Sequence, residues 1–252
     1  MTPDDYLFQI LARENVDTGP YSPVRTVQAQ IQPVIREWAG NLLVAVSPSG
    51  SFAKGTVNKS GTDIDLFISL SQNTPETLKQ IYDSLFQRMT DRGYSPKRQN
   101  VSINVRLNGY SVDLVPAKRQ DTYSDDHSLY RRKADTWTKT NVTKHINHVR
   151  QGTRINETRI IKLWRNQKAL DFPSFYLELT VIDALSGQYG TLSSNVMKVF
   201  HYLKDTFPSA RVIDPANTNN IISDDLTIAE RAKVKVAAEQ ALKATNWNQI
   251  VI

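Results

Sequence analysis

Residues 49–66 constrain the fold more than any other stretch. Ser49-Gly50-Ser51-Phe52-Ala53-Lys54-Gly55-Thr56 follows a short apolar run, Leu42 to Val46, and precedes Gly61-Thr62-Asp63-Ile64-Asp65-Leu66. The order reads as strand, small glycine-containing turn, short helix, second strand. Alternation in the second strand, Asp63 to Leu70, sends Ile64 and Leu66 to one side and both aspartates to the other. Gly50 and Ser51 can offer backbone N–H groups and the Ser51 hydroxyl to the β- and γ-phosphates of a ligand, aided by the start of the helix. Two carboxylates on one face can hold a divalent cation. Together the two halves imply a site for a nucleoside triphosphate and its metal.

A hairpin supplies the third carboxylate. Val101, Ile103, Val105 and Leu107 alternate with polar residues, then comes Asn108-Gly109, the favoured dipeptide of a two-residue type I′ turn. Tyr110 to Pro116 is the return strand. With Asn108-Gly109 as the whole loop, Leu107 faces Tyr110, Val105 faces Val112, Ile103 faces Leu114 and Asn104 faces Asp113. The valines, Ile103 and Leu114 then share the core face, and Asp113 lies on the polar face. An acidic residue in the middle of an apolar strand is explained by a metal.

Elsewhere the pattern is mostly helical. Val24, Val27, Ile31, Val34, Ile35 and Trp38 form the stripe of one long helix. Thr74 to Arg92 reads as a helix with Thr74 as N-cap and Gly93 just past its end. From Thr143 onward helices dominate: one holds Ile160, Ile161, Leu163 and Trp164, and another holds Phe175 to Ile182 with Pro173 near its start. Val196 to Leu203 and Ile228 to Leu242 make two more. The chain is thus expected to be α+β and bilobal, with an α/β lobe over 1–140 and a helical lobe over 141–252. Arg131-Arg132-Lys133 reads as a boundary or hinge.

Composition narrows the partners. The net charge of +6 suits a polyanion such as a nucleotide or nucleic acid. No apolar run approaches the ~20 residues a membrane helix needs, so no membrane partner is expected. The N-terminus lacks a basic region followed by an apolar stretch and does not read as a signal peptide. The chain has no cysteine, which removes disulfides and thiolate zinc sites and fits a cytoplasmic location.

Asp63, Asp65 and Asp113 are the candidate catalytic and metal-binding residues. Three like charges need cations among them, and hard oxygen ligands suit two Mg²⁺ or Mn²⁺ ions. Such a pair can clamp the attacking and leaving oxygens of a phosphoryl displacement, here a hydroxyl on the α-phosphorus with pyrophosphate leaving.

Gly50-Ser51, Asp63-Ile64-Asp65-Leu66 and Val112-Asp113-Leu114 together resemble the signature of the DNA polymerase β-like nucleotidyltransferase superfamily. Within it, the long N-terminal helix and the later motifs resemble the oligoadenylate synthase and cyclic GMP-AMP synthase branch. That branch includes the bacterial cGAS/DncV-like nucleotidyltransferases, or CD-NTases, of anti-phage signalling. The resemblance implies a polymerase β-like lobe of mixed sheet with a long spine helix, a C-terminal helical lobe and a central cleft. It also implies synthesis of a cyclic or short linear oligonucleotide second messenger from nucleoside triphosphates.

Later motifs carry further implications. Thr158-Arg159-Ile160-Ile161-Lys162-Leu163-Trp164 resembles the helix whose lysine reaches the donor triphosphate, which makes Lys162 a phosphate contact. Pro173-Ser174-Phe175-Tyr176-Leu177-Glu178-Leu179 resembles the helix start that meets the donor base, through Ser174 and Phe175. Relatives usually have tyrosine where this chain has Phe175, and Tyr176 is the competing candidate. Val212 to Asn220 resembles an Asp-Pro…Asn-Asn loop with a structural role. His127 to Lys133 either lines the acceptor side or is a solvated basic connection. Without cysteine, a zinc element for duplex DNA is excluded. Constitutive activity, or activation by a regulatory protein or another ligand, is expected ahead of duplex sensing, while a basic surface leaves a nucleic-acid activator open. The alternatives are a tRNA or protein nucleotidyltransferase, of the CCA-adding or toxin–antitoxin kind, and a non-catalytic nucleotide- or nucleic-acid-binding scaffold.

Overall fold

The computed structural model describes residues 1–61 and 63–252; Thr62 of the opening motif lies outside the described residues. The chain forms two compact units. A helical unit comprises Met1–Asn15, Gly55–Ser60 and Asn147–Ile252, and a sheet unit comprises Val16–Lys54 and Gly61–Ile146. This division differs from the linear one at 140/141 for a packing reason. The first helix, α1 (Pro3–Arg13), buries Leu7, Ile10 and Leu11 in the same apolar cluster as Trp164, Tyr176 and Phe200.

In the sheet unit, α2 (Pro23–Ala39) is capped by the Ser22 hydroxyl and buries Val24, Val27, Ile31 and Ile35, the stripe read from sequence. Then come β1 (Leu43–Pro48), the short α3 (Gly50–Lys54) and β2 (Asp63–Leu70). Next, α4 (Leu78–Asp91) begins later than expected. Its N-cap is Thr77, because Thr77 and Gln80 form a reciprocal capping box. Thr74 is buried instead, and its hydroxyl donates to Ser71 O at 2.7 Å. Gly93 follows the helix at φ 79°, as read.

The remaining strands are β3 (Lys97–Arg98), β4 (Ile103–Leu107), β5 (Tyr110–Arg119), β6 (His127–Arg131) and β7 (Thr136–Thr140). The sheet runs β1-β2-β5-β4-β3, with β6 pairing the far end of β5 and β7 pairing β6. Only the β2–β5 pair is parallel among these strands. The β4–β5 register is the one the Asn-Gly turn dictates, Asn104 opposite Asp113 included. Arg131-Arg132-Lys133 is not a hinge: it enters the turn of the β6–β7 hairpin. The Thr-Trp-Thr-Lys-Thr alternation of β7 is its unread strand signal.

The helical unit takes over within α5 (Val142–Gln151), between Ile146 and Asn147. Its other elements are α6 (Ile155–Gln167), α7 (Ser174–Ala184), α8 (Leu192–Asp205), the β8–β9 hairpin (Ile213–Asp214 and Asn217–Ile221) and α9 (Ile228–Lys243). Phe172, Tyr176 and Phe207 stack within its core at ring-centroid distances of 5.0–5.3 Å. The buried Asp214 accepts from Ala216 N–H and the Asn220 amide, so the Asp-Pro…Asn-Asn motif braces its own hairpin. No described helix is long and apolar enough to cross a membrane.

Candidate active site

The sheet unit brings Gly50, Ser51, Asp63, Asp65 and Asp113 together. Ile64, Leu66, Val112 and Leu114 are almost completely buried beneath the strands. Period-two alternation therefore turns the intervening aspartates to the other face. In the parallel pair, Asp65 lies opposite Asp113 and Asp63 opposite Ser111. Asp63 is exposed, while Asp65 and Asp113 are half-buried.

The glycine turn sits against Asp65. Ser49 N–H donates to Asp65 O at 2.8 Å. Gly50 has φ 55°, and a methyl group there would run into the Asp65 carboxylate. Glycine is thus required twice, by backbone conformation and by close approach.

Asp113 is held from its polar side. Its Oδ1 accepts from Asn104 Nδ2 at 2.7 Å and from Gln99 Nε2 at 3.1 Å. Asn104 Nδ2 also donates to Ser111 Oγ at 2.8 Å. Burial pushes the Asp113 carboxyl above the usual carboxylate range, the Asn104 hydrogen bond pulls it back, and the Asp63 charge pushes it up again. Among the described residues no three His, Asp or Glu side chains are gathered closely enough to hold a metal as they stand. The donor chemistry nonetheless fits a hard divalent cation. It offers carboxylate oxygens on one face, with a half-buried carboxyl whose charge a cation would compensate.

The other candidates belong to the helical unit. Ser174 is exposed in the first turn of α7, and its Oγ accepts from Arg165 Nη1 at 3.1 Å. Phe175 is half-buried against the core. Tyr176 is wholly buried, its hydroxyl has no hydrogen-bond partner among the described residues, and burial pushes it up to about 12. That environment removes Tyr176 as the competitor of Phe175 for a base.

Lys162 occupies a place the resemblance did not imply. Its ammonium is buried, 2.6 Å from Glu178 Oε1 and 2.8 Å from Thr56 Oγ1. Thr56 Oγ1 donates to the same Glu178 oxygen at 2.6 Å. Sequence reasoning missed Glu178 and Thr56. The signal for Glu178 was present: a carboxylate inside Phe175-Tyr176-Leu177-Glu178-Leu179 is buried only with a partner.

Residues 34–139 match the family described as "Nucleotidyltransferase domain", a span that contains the whole carboxylate face and the glycine turn. That span carries a nucleotidyltransferase domain, and the fold of the chain is that of the CD-NTases. It resembles cyclic AMP-AMP-AMP synthase of Escherichia coli (strain MS 115-1), with 22% identity over 239 residues covering 78% of this chain and 74% of that protein. Among solved structures, E. coli MS115-1 CdnC with ATP superposes with TM-score 0.78 at 20% identity, covering 99% of this chain and 97% of CdnC. The same CdnC in complex with HORMA-deltaN gives TM-score 0.76 at 20% identity, covering 98% and 96%. Bradyrhizobium diazoefficiens CdnG with GTP gives 0.77 at 14% identity, covering 95% and 91%.

Proposed function

We propose that this enzyme joins ribonucleoside triphosphates into a cyclic or short linear oligonucleotide second messenger, with release of pyrophosphate, in cytoplasmic anti-phage signalling. The observation that carries the reading is the polar face of β2 and β5, where Asp63, Asp65 and Asp113 lie beside the Gly50-Ser51 turn. Asp63, Asp65 and Asp113 would hold two Mg²⁺ or Mn²⁺ ions. Bound there, the metal supplies charge neutralisation at the triphosphate and acidifies the attacking hydroxyl.

The chain's own groups do the rest. Gly50 and Ser51 bind the β- and γ-phosphates through backbone N–H groups and the Ser51 hydroxyl. Asp113 also accepts the proton of the attacking hydroxyl, and Asn104 fixes the carboxyl that receives it. Ser174 and Phe175 meet the donor base, Phe175 by stacking. The CdnC complex with HORMA-deltaN supports a regulatory protein as activator, with nucleic acid as the other candidate.

The test is incubation of the pure protein with the four ribonucleotides and Mg²⁺ or Mn²⁺, with products read by mass spectrometry. An oligonucleotide and pyrophosphate are expected, and both should vanish in Asp63→Ala/Asp65→Ala. No protein-dependent product with any metal or activator tried would overturn the reading.

A further inference from the structure

We infer that Thr56, Lys162 and Glu178 form a buried clamp that positions the segment joining the glycine turn to the aspartate strand. On this inference Lys162 serves nucleotidyl transfer as a positioning residue and not as a phosphate contact. The role in transfer rests on the function proposed above; the clamp itself does not.

Thr56 and Glu178 are 0% exposed and Lys162 is 4% exposed. All three contacts lie between 2.6 and 2.8 Å. Moving the ammonium to a phosphate would separate a buried ion pair, and breaking such a pair from one side is strongly unfavourable. A neutral pair of similar volume would hold the helices together equally well, so stability alone does not account for charges here. What the charges add is a fixed position for Thr56.

Thr56 stands in the segment Gly55–Ser60, six residues after Gly50 and seven before Asp63. That segment belongs to the helical unit, while the residues on either side of it belong to the sheet unit. Its other anchors are equally specific. Asn58 Nδ2 donates to Arg159 O at 2.9 Å, and Arg159 Nε returns a bond to Asn58 Oδ1 at 3.0 Å. Lys59 N–H donates to Glu14 O at 3.1 Å, and Ser60 N–H donates to Glu14 Oε2 at 2.8 Å. Arg159 Nη2 holds Leu11 O and Glu14 O in turn. Arg159 and Lys162 are three apart on α6 and so share one face. One helix face therefore grips the chain on its way from the phosphate turn to the aspartates.

The experiment compares Lys162→Met, Glu178→Gln and the double variant with wild type, at a temperature where circular dichroism shows each folded. Each single variant should lower kcat about tenfold or more while leaving KM for ATP within about threefold. The double variant, which removes both charges of the pair, should recover most of kcat. Thr56→Ser should behave as wild type. The proposal is overturned if Lys162→Met raises KM for ATP about tenfold, Glu178→Gln does not, and the double variant stays as weak as Lys162→Met, because that pattern marks a phosphate contact. It is also overturned if the single variants lose thermal stability but keep kcat. Should wild type make no product at all, the proposed function fails and the clamp is read by hydrogen exchange of the amides of residues 55–60. Exchange should then quicken in both single variants and slow again in the double one; unchanged exchange in the singles sinks the clamp.

Discussion

Asp113 shows how far a single residue can be read. Its position on the polar face followed from the turn register, and its partner Asn104 was the residue named opposite it. Its electrostatic state could not be read, because burial depends on packing that no local pattern encodes. Burial raises the native pKa of this carboxyl above its unfolded value. The folded chain therefore binds that proton more readily than the unfolded chain, and ionisation costs the fold stability as pH rises through the native pKa. Asp113→Asn removes that cost. It should abolish product formation while raising Tm at pH 7–8. The gain should shrink as pH falls through the native pKa. A lower Tm at neutral pH, measured by scanning calorimetry, would contradict the burial argument. Gly50 has a comparable history. Sequence gave it to phosphates, and the contact with Asp65 is a second reason for glycine that only the folded chain reveals.

At the scale of elements, the parts with strict periodicity were legible: α2, β2, the β4–β5 hairpin and the C-terminal helices. That hairpin depends on its turn. Asn108 and Gly109 both have positive φ, at 52° and 83°. A Cβ added at Gly109 meets no neighbour within 4 Å. Gly109→Ala should therefore cost only its backbone strain, about 1–2 kcal/mol. Denaturant titration should show the midpoint falling with the slope unchanged, and activity of the folded fraction should persist because the register is also held by the Ile103–Leu114 and Val105–Val112 pairs. Loss of activity without loss of stability would mean that the turn does more than set the register. Some of the elements that escaped notice had weaker local signals. The β6–β7 hairpin lies among charged residues that read as connection. The start of α4 was assigned to the first of two threonines, and the choice between them was made by Gln80 reaching back to Thr77.

Over the whole molecule, the two-unit organisation was legible but its assignment of segments was not, because that depends on contacts distant in sequence. Leu7, at 0% exposure, packs in a cluster whose other members lie mainly beyond residue 159. Leu7→Ala should destabilise the protein by about 2.7–5 kcal/mol, the range for buried leucine truncations, although the site residues are untouched. Thermal unfolding checks this, and a change under 1 kcal/mol would mean that α1 contributes little to that core. Tyr6 adds a further long-range tie, its hydroxyl donating to Val251 O at 3.0 Å.

The borders between units fall after Asn15, Lys54, Ser60 and Ile146. The backbone therefore passes from one unit to the other at four places, and no single cut yields either unit whole. A gene of this layout cannot exchange its sheet half or its helical half by simple recombination at one junction. Replacing either unit from a relative would need exchange at all four borders.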